Sequence, residues 1–203
     1  MEFWNSLLTE KSWKILQELN KKYKFILIGG WAIYLWTKNQ KSQDIDIIVN
    51  IKELQKLKQE NLIKNDRLKK YEIKIEEIDV DIYVEYFSKL AIPVEDIKKY
   101  SSKIEGFHVV APELLLVLKQ GAFLDRKNSL KGEKDKLDIL SLLFFIELDY
   151  KKYYSILKNY KLEYYLDDLI SLVLNFQDYP IFSLSPRNFK LKKKPIIGKL
   201  KKI

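Results

Sequence analysis

The chain has 203 residues, of which 47% are hydrophobic and 32% are charged, as in globular proteins with one large or two small domains. It has no cysteine and one histidine, which excludes disulfides, thiolate metal sites and histidine-based zinc sites. No apolar stretch is long enough to cross a bilayer and no signal peptide is recognisable, so we expect a cytoplasmic protein that does not bind membranes. The net charge of +9 favours nucleic acid as a partner, although a general bias towards lysine would produce the same charge.

The first part of the chain predicts a helix, a strand and a glycine turn. Apolar side chains recur at helical spacing over residues 3–22, and a short apolar strand follows at 25–28. Gly29 and Gly30 end this strand and lead into a helix over 31–37. Such a turn lets phosphate oxygens approach backbone N–H groups at a helix N-terminus, so it is a candidate phosphate site. Glycines are also common at strand-to-helix connections without any ligand.

Two aspartates lie on one face of the next predicted strand, residues 44–49. Side chains alternate along a strand, so Asp44 and Asp46 leave it on the same side, about 7 Å apart. Paired carboxylates need a cation or solvent, and Mg²⁺ combines one or two carboxylates with substrate phosphates. The turn and the strand therefore predict joint binding of a nucleotide and divalent ions. An ordinary half-exposed strand with a polar outer face is the alternative.

The motif formed by IGG at 28–30, thirteen further residues and DIDI at 44–47 resembles the signature of the DNA polymerase β-like nucleotidyltransferase superfamily. Within it, the chain looks similar to the stand-alone AbiE-type (AbiEii-like) members grouped with abortive-infection toxins. The resemblance implies an α+β nucleotidyltransferase fold, a small mixed sheet with flanking helices, followed by a C-terminal helical bundle. It also implies that the two aspartates bind Mg²⁺ or Mn²⁺, that the glycines hold the NTP, and that Ser42 belongs to the nucleotide site. Many members have serine in place of Gly30, so one hydroxyl contact to phosphate is lost here.

A third carboxylate is expected on a neighbouring strand. Alternating residues at 71–76 and 80–86 predict a hairpin after a helix that Asn50 caps. In the superfamily such an aspartate completes the metal site and takes the proton from the attacking hydroxyl. We assign this role to Asp81. Asp79 has the same parity but lies closer to the turn, so it is the alternative.

The chain becomes helical after the proline at position 112, following a predicted short helix and strand. The predicted domains are a catalytic domain (1–110), a helical domain (111–180) and a poorly ordered basic tail (181–203). The tail carries several lysines and no acid, so it can grip RNA phosphates or an acidic partner, or serve only as a solubilising end.

The helical region contains further candidates for nucleotide binding. Lys119 lies in an almost wholly apolar helix, so its ammonium must extend to solvent or meet an anion. The resemblance implies that it contacts the triphosphate, with Arg126 on nearly the same face as a second cation. The superfamily places a Lys-Asp-x-x-Asp cluster near the nucleotide, which implies roles for Lys134 and Asp138. These two residues can also simply pair with each other along the helix.

These observations predict a two-metal nucleotidyltransferase that moves an NMP from an NTP to an acceptor hydroxyl. The charge favours RNA or tRNA as the acceptor, and the resemblance implies a toxin-antitoxin role with a cognate antitoxin or toxin as partner. One alternative is a non-catalytic protein of the same fold, such as an antitoxin or a nucleic-acid-binding module. Another is an enzyme that nucleotidylates a protein.

Overall fold

The structure is a computed structural model, and it describes residues 6–203. The chain divides into two compact units, Met1–Ala111 and Pro112–Ile203. The helices are α1 (Ser6–Lys22), α2 (Gly29–Thr37), α3 (Ile51–Leu57), α4 (Val94–Ile97), α5 (Pro112–Asp125), α6 (Leu130–Phe145), α7 (Tyr150–Asn159), α8 (Tyr164–Asn175) and α9 (Pro186–Leu200). The strands are β1 (Ile26–Ile28), β2 (Ile45–Val49), β3 (Ile63–Asn65), β4 (Lys70–Ile75), β5 (Ile78–Val84), β6 (Ser101–Ile104) and β7 (Phe107–Val110).

The first unit is built on a mixed sheet. Within the described residues this sheet has seven strands in the order β3-β4-β5-β2-β1-β7-β6. The central strand β2 is antiparallel to β1 and parallel to β5, and the pairs β3–β4, β4–β5 and β6–β7 are antiparallel. A mixed sheet with helices, followed by a helical unit, confirms the predicted α+β class.

The register of β2 and β5 is fixed by burial of one face. Ile45 and Ile47 on β2 are completely buried, as is Ile82 on β5, while the residues between them remain partly exposed. A slip of one residue would move these isoleucines to the open face and bury the aspartates. Trp31 of α2 is also buried, and its Nε1–H donates to Oγ of Ser12 in α1 at 2.8 Å.

Several elements of the first unit differ from the prediction. The edge strands β3 and β6 were not predicted. The N-cap of α3 is as expected, because the Asn50 side chain accepts a hydrogen bond from the Glu53 N–H.

No helix within residues 6–203 has the length and apolar content needed to span a membrane.

The C-terminal segment 181–203 differs from the predicted poorly ordered tail, because most of it forms α9. The Ser185 side chain caps this helix by accepting from the Asn188 N–H. Phe189, Ile196 and Leu200 are buried along one side of α9, and the Phe189 ring lies 5.6 Å from that of Phe144 in α6, between ring centroids. These three apolar residues recur at helical spacing among lysines, so the segment is amphipathic rather than uniformly polar.

Two lysines of α9 bind the ends of neighbouring helices. Lys192 Nζ donates to the Phe144 carbonyl oxygen at 2.6 Å, and Lys193 Nζ donates to the Leu174 and Phe176 carbonyl oxygens at 2.8 and 2.9 Å. These carbonyls lie at the C-terminal ends of α6 and α8, where backbone oxygens lack helical partners and the helix dipole favours positive charge. These two tail lysines therefore have a structural role within the second unit.

Candidate active site

Asp46 and Asp81 lie side by side in the first unit. The parallel pairing of β2 with β5 makes them Cα partners, so they stand on strands about 4.8 Å apart and face the same side of the sheet. Asp44 immediately precedes β2 and is partly exposed. Burial raises the pKa of Asp81, and the negative charge of Asp44 adds to this rise.

The glycine turn packs directly against Asp46. Antiparallel pairing of β1 and β2 makes Ile28 the Cα partner of Asp46, and Gly29 follows at the start of α2. A β-carbon added at Gly29 would lie 2.0 Å from Oδ2 of Asp46, and the φ of +68° at Gly29 is one that other residues rarely adopt. Glycine at this position therefore allows the carboxylate to rest against the N-terminus of α2, where the helix dipole favours negative charge.

Gly30 packs in the same way against Ser42. A β-carbon at Gly30 would lie 2.5 Å from Oγ of Ser42, which is 1% exposed. The Ser42 side chain therefore fills the space in which a larger residue at position 30 would stand. This contact gives a physical reason for the departure from the superfamily pattern, since serine at position 30 and serine at position 42 would collide.

Asp81 has a close cationic partner that the sequence did not reveal. Lys70 Nζ in β4 lies 2.5 Å from Oδ2 of Asp81 and 3.0 Å from Oε1 of Glu72. Glu72 is the Cα partner of Asp81 in the antiparallel β4–β5 pair. The alternation of Lys70 and Glu72 along β4 could have placed both on one face, but their pairing with Asp81 depends on the strand register.

Burial is the main influence on the Asp81 carboxyl. It raises the pKa of Asp81 above the ordinary value for aspartate, and the negative charges of Glu72 and Asp44 act in the same direction. The hydrogen bond and the charge of Lys70 oppose this rise but do not cancel it. Burial lowers the pKa of Lys70, but the hydrogen bonds and the negative charges of Asp81 and Glu72 together outweigh it, so the pKa is raised.

Asp79 occupies a different environment from Asp81. Its side chain is 64% exposed, and its nearest cation is Lys74 Nζ at 3.9 Å from Oδ1. It lies on the same face of β5 but opposite Lys74 rather than beside Asp46. Of the two aspartates considered for the third carboxylate, Asp81 is therefore the one that the sheet register brings next to β2.

The donor chemistry of this site suits a hard divalent ion. Asp44, Asp46 and Asp81 offer carboxylate oxygens, which Mg²⁺ and Mn²⁺ prefer, and the Lys70 ammonium shows that a cation is stabilised at Asp81. In the part of the chain that the structure describes, no three acidic or histidine side chains are grouped closely enough to hold a metal ion as they stand. A metal-binding role for Asp44, Asp46 and Asp81 therefore stays a prediction, and Asp81 is engaged by Lys70.

Three candidates in the second unit, Lys119, Arg126 and Asp138, form an ion cluster with Asp135. Lys119 Nζ lies 2.6 Å from Oδ2 of Asp138 and 3.2 Å from Oδ1 of Asp135, and Arg126 Nε lies 2.7 Å from Oδ2 of Asp135. Both aspartates are almost completely buried. Two cations thus meet two carboxylates, so α6 supplies the anion that Lys119 requires.

Asp138 of α6 binds Lys119 of α5, an ion pair that the spacing of Lys134 and Asp138 did not predict. Lys134 is partly exposed near the start of α6. Asp135, which joins Lys119 to Arg126, was not among the predicted site residues. A nucleotide contact by Lys119, Arg126, Lys134 or Asp138 stays a prediction.

Comparisons with known proteins give similarity in fold. No protein-family model and no curated protein matches the chain. Solved structures that match include JHP933 from Helicobacter pylori, with 18% identity over 96% of this chain and 94% of that chain and a TM-score of 0.47. An antigenic nucleotidyltransferase-like protein from Paracoccidioides brasiliensis has 14% identity over 87% and 97% of the two chains and a TM-score of 0.39.

A further match is ANT(2")-Ia in complex with adenylyl-2"-tobramycin, with a TM-score of 0.52 and 14% identity over 78% of this chain and 99% of that chain. The mixed sheet with flanking helices is consistent with this structural similarity. The chain therefore has the α+β nucleotidyltransferase fold.

Proposed function

We propose that this protein is a nucleotidyltransferase that moves an NMP from an NTP to an acceptor hydroxyl. The observation that carries the proposal is the direct pairing of Asp46 with Asp81 on neighbouring strands, with Asp44 at the entrance to β2. Like charges directly opposite each other destabilise a sheet, so their placement here favours a role in binding or catalysis. The nucleotidyltransferase fold supports the same assignment.

The nucleotide is assigned to the N-terminus of α2. Gly29 and Gly30 let the Asp46 carboxylate and the Ser42 hydroxyl pack against the first residues of this helix. Backbone N–H groups at a helix N-terminus favour phosphate, so the triphosphate is placed against this end of α2. Asp44 and Asp46 would hold Mg²⁺ or Mn²⁺, which when bound offsets the negative charge of the triphosphate.

The transfer itself is a displacement at the α-phosphorus. The acceptor hydroxyl oxygen forms a bond to the α-phosphorus, while the bond from this phosphorus to the bridging oxygen breaks and pyrophosphate leaves with the electron pair. The hydroxyl proton passes to Asp81, which is partly exposed next to Asp46. Because Lys70 holds Oδ2 of Asp81, the proton goes to Oδ1 unless this contact is released.

RNA, with a tRNA end as the first candidate, is the acceptor that we propose. The net charge of +9 favours a polyanion, and the AbiE-like motif suggests a toxin with a cognate antitoxin as partner. ANT(2")-Ia binds an adenylylated tobramycin, so a hydroxyl on a small molecule is the competing acceptor. A protein hydroxyl is a third.

The test is incubation of the full chain with each α-³²P-labelled NTP, Mg²⁺ and total RNA, tRNA, cell protein or aminoglycoside. The wild type should label one acceptor class, and Asp46→Ala should abolish labelling. Asp79→Ala is the matched control, because Asp79 is exposed on the same sheet face and should leave labelling intact. Equal labelling by wild type and Asp46→Ala would remove the assignment.

A non-catalytic protein of this fold is the second candidate, and the Lys70 contact with Asp81 favours it. An ammonium that permanently neutralises the third carboxylate would leave a site that binds a nucleotide or a partner protein without turnover. Calorimetry combined with the labelling assay distinguishes this candidate from the enzyme. Binding of Mg²⁺ and a non-hydrolysable NTP without labelling of any acceptor supports this candidate, whereas turnover dependent on Asp46 excludes it.

A further inference from the structure

A row of three carboxylates crosses the sheet of the first unit. Asp46 in β2, Asp81 in β5 and Glu72 in β4 are successive Cα partners, so each faces the same side as its neighbour. Lys70 inserts its ammonium between Asp81 and Glu72, at 2.5 Å from the first and 3.0 Å from the second. The Lys70 side chain is 13% exposed, so this ammonium is largely withdrawn from solvent.

The contact also fixes which way the Asp81 carboxylate is drawn. Lys70 and Glu72 both belong to β4, on the side of β5 that is opposite to β2. The Asn65 side-chain amide in β3 donates to Oε1 of Glu72 at 3.0 Å and so supports the same arrangement. One oxygen of Asp81 is therefore held towards β4, away from the strand that carries Asp46.

The contact between Lys70 and Asp81 explains why the strand register suggests a shared ion site but the acidic side chains are not grouped into one. The register brings Asp46 and Asp81 close enough to share an ion, yet no three acids in residues 6–203 are grouped tightly enough to hold one. We infer that Lys70 is a positioning residue that occupies Asp81 as a built-in cation and competes with a divalent ion for this carboxylate. The inference rests on the proposed metal-dependent function.

The positive charge of Lys70 determines in which direction its removal should change metal binding. While the ammonium holds Oδ2 of Asp81 towards β4, a divalent ion at Asp44 and Asp46 would lack this oxygen as a ligand. The positive charge of Lys70 also repels an incoming cation. Removing this charge should therefore strengthen metal binding, whereas a lysine that only braced Asp81 for the metal would weaken binding when removed.

The test measures Mn²⁺ binding to the full chain without nucleotide, from the electron paramagnetic resonance signal of free Mn²⁺. Lys70→Met should bind Mn²⁺ about tenfold more tightly than the wild type, which is the size typical of changes around metal ligands. Lys70→Arg keeps the charge and should bind as the wild type does. Asp81→Asn added to Lys70→Met should cancel the gain. Unchanged or weaker binding by Lys70→Met overturns the inference, as does the absence of binding by both proteins.

A second measurement uses the wild type and so does not depend on the folding of a variant. Mn²⁺ that displaces the ammonium from Asp81 should increase reductive methylation of Lys70, measured by mass spectrometry. Lys74, whose side chain is 66% exposed, is the internal control and should not respond. Methylation of Lys70 that is insensitive to saturating Mn²⁺ overturns the inference.

These outcomes are separable from those of the proposed function. Tighter Mn²⁺ binding by Lys70→Met, combined with no Asp46-dependent labelling, upholds the role of Lys70 and removes the enzyme assignment. Asp46-dependent labelling, combined with unchanged Mn²⁺ binding, does the reverse.

Discussion

The carboxylate of Asp46 rests against Gly29, at a point where no other residue could stand. A β-carbon at Gly29 would come within 2.0 Å of Oδ2 of Asp46, and the backbone there has a φ of +68°. Two independent constraints, one steric and one conformational, thus apply at the same residue. They couple the glycine turn to the aspartate strand physically, beyond their proximity in the motif.

Gly29→Ala should therefore destabilise the protein and abolish nucleotidyl transfer. The positive φ alone costs about 1–2 kcal/mol for alanine, and the overlap with Asp46 adds to it. The measurement is urea denaturation together with the labelling assay. Gly198→Ala is the control, because an added β-carbon meets nothing within 4 Å there, and it should leave stability unchanged or slightly higher. Equal behaviour of the two variants would contradict the steric argument.

A second coupling, between Gly30 and Ser42, predicts that serine at position 30 is harmful. Gly30→Ser would place its β-carbon 2.5 Å from Oγ of Ser42 and should lower the free energy of unfolding. Ser42→Gly in the same chain removes the obstructing side chain, so the double variant should recover at least about 1 kcal/mol relative to the sum of the single variants. Denaturation of all four proteins completes this cycle. Strict additivity would show that the two positions are not coupled.

Part of this site was predictable because it depends on local pattern. The alternation of Asp46 with Ile45 and Ile47 predicted a strand with one polar face, and burial of the two isoleucines follows from it. Asn50 was predictable as an N-cap for the same reason, since its hydrogen bond partner is the N–H of Glu53, three residues away.

The rest depends on contacts that no local pattern reports. Lys70 lies 11 residues from Asp81, just before the predicted strand 71–76, and only the register of β4 with β5 brings them together. The amphipathic pattern of α9 was hidden for a different reason. Its buried positions, Phe189, Ile196 and Leu200, are separated by lysines, so composition outweighed periodicity.

The ion cluster of the second unit predicts that Lys119 matters for stability. Lys119→Met would leave Asp138 and Asp135 buried without their shared ammonium, and breaking a buried ion pair costs about 3–5 kcal/mol. Lys134→Met removes the same charge from a partly exposed position on α6 and should cost much less. Chemical denaturation of both variants measures the difference. Equal stability of the two variants would argue against a structural role for the cluster.

The lowered pKa of Glu53 predicts that the stability of the protein depends on pH. The hydrogen bond from Lys56 Nζ, at 2.8 Å, is the largest cause that holds the pKa of Glu53 below its usual value, against the opposing effect of burial. The backbone N–H of Lys24 adds a hydrogen bond at 3.3 Å. Because the folded-state pKa is depressed, the stabilisation is fully present above the unfolded-state pKa of about 4.3 and is lost as the pH falls through the folded-state value.

Glu53→Gln should accordingly lower the free energy of unfolding at neutral pH, and the difference from the wild type should shrink below about pH 4. Urea denaturation of both proteins across this range gives the two curves. A difference that stays constant with pH would mean that Glu53 stabilises the protein through packing rather than through its charge.

The basic helix α9 contains lysines that bind the ends of other helices and lysines that are exposed to solvent. Lys193→Met removes the donor to the Leu174 and Phe176 carbonyl oxygens and should lower the free energy of unfolding by about 1 kcal/mol. Lys194→Met removes the same charge from an exposed neighbour, so it controls for the overall change in net charge and should have little effect on stability. Thermal and urea denaturation measure both variants. A loss confined to Lys193→Met would mean that this lysine stabilises α9 through its contacts with the helix ends, whereas equal losses would mean that it acts only through its charge.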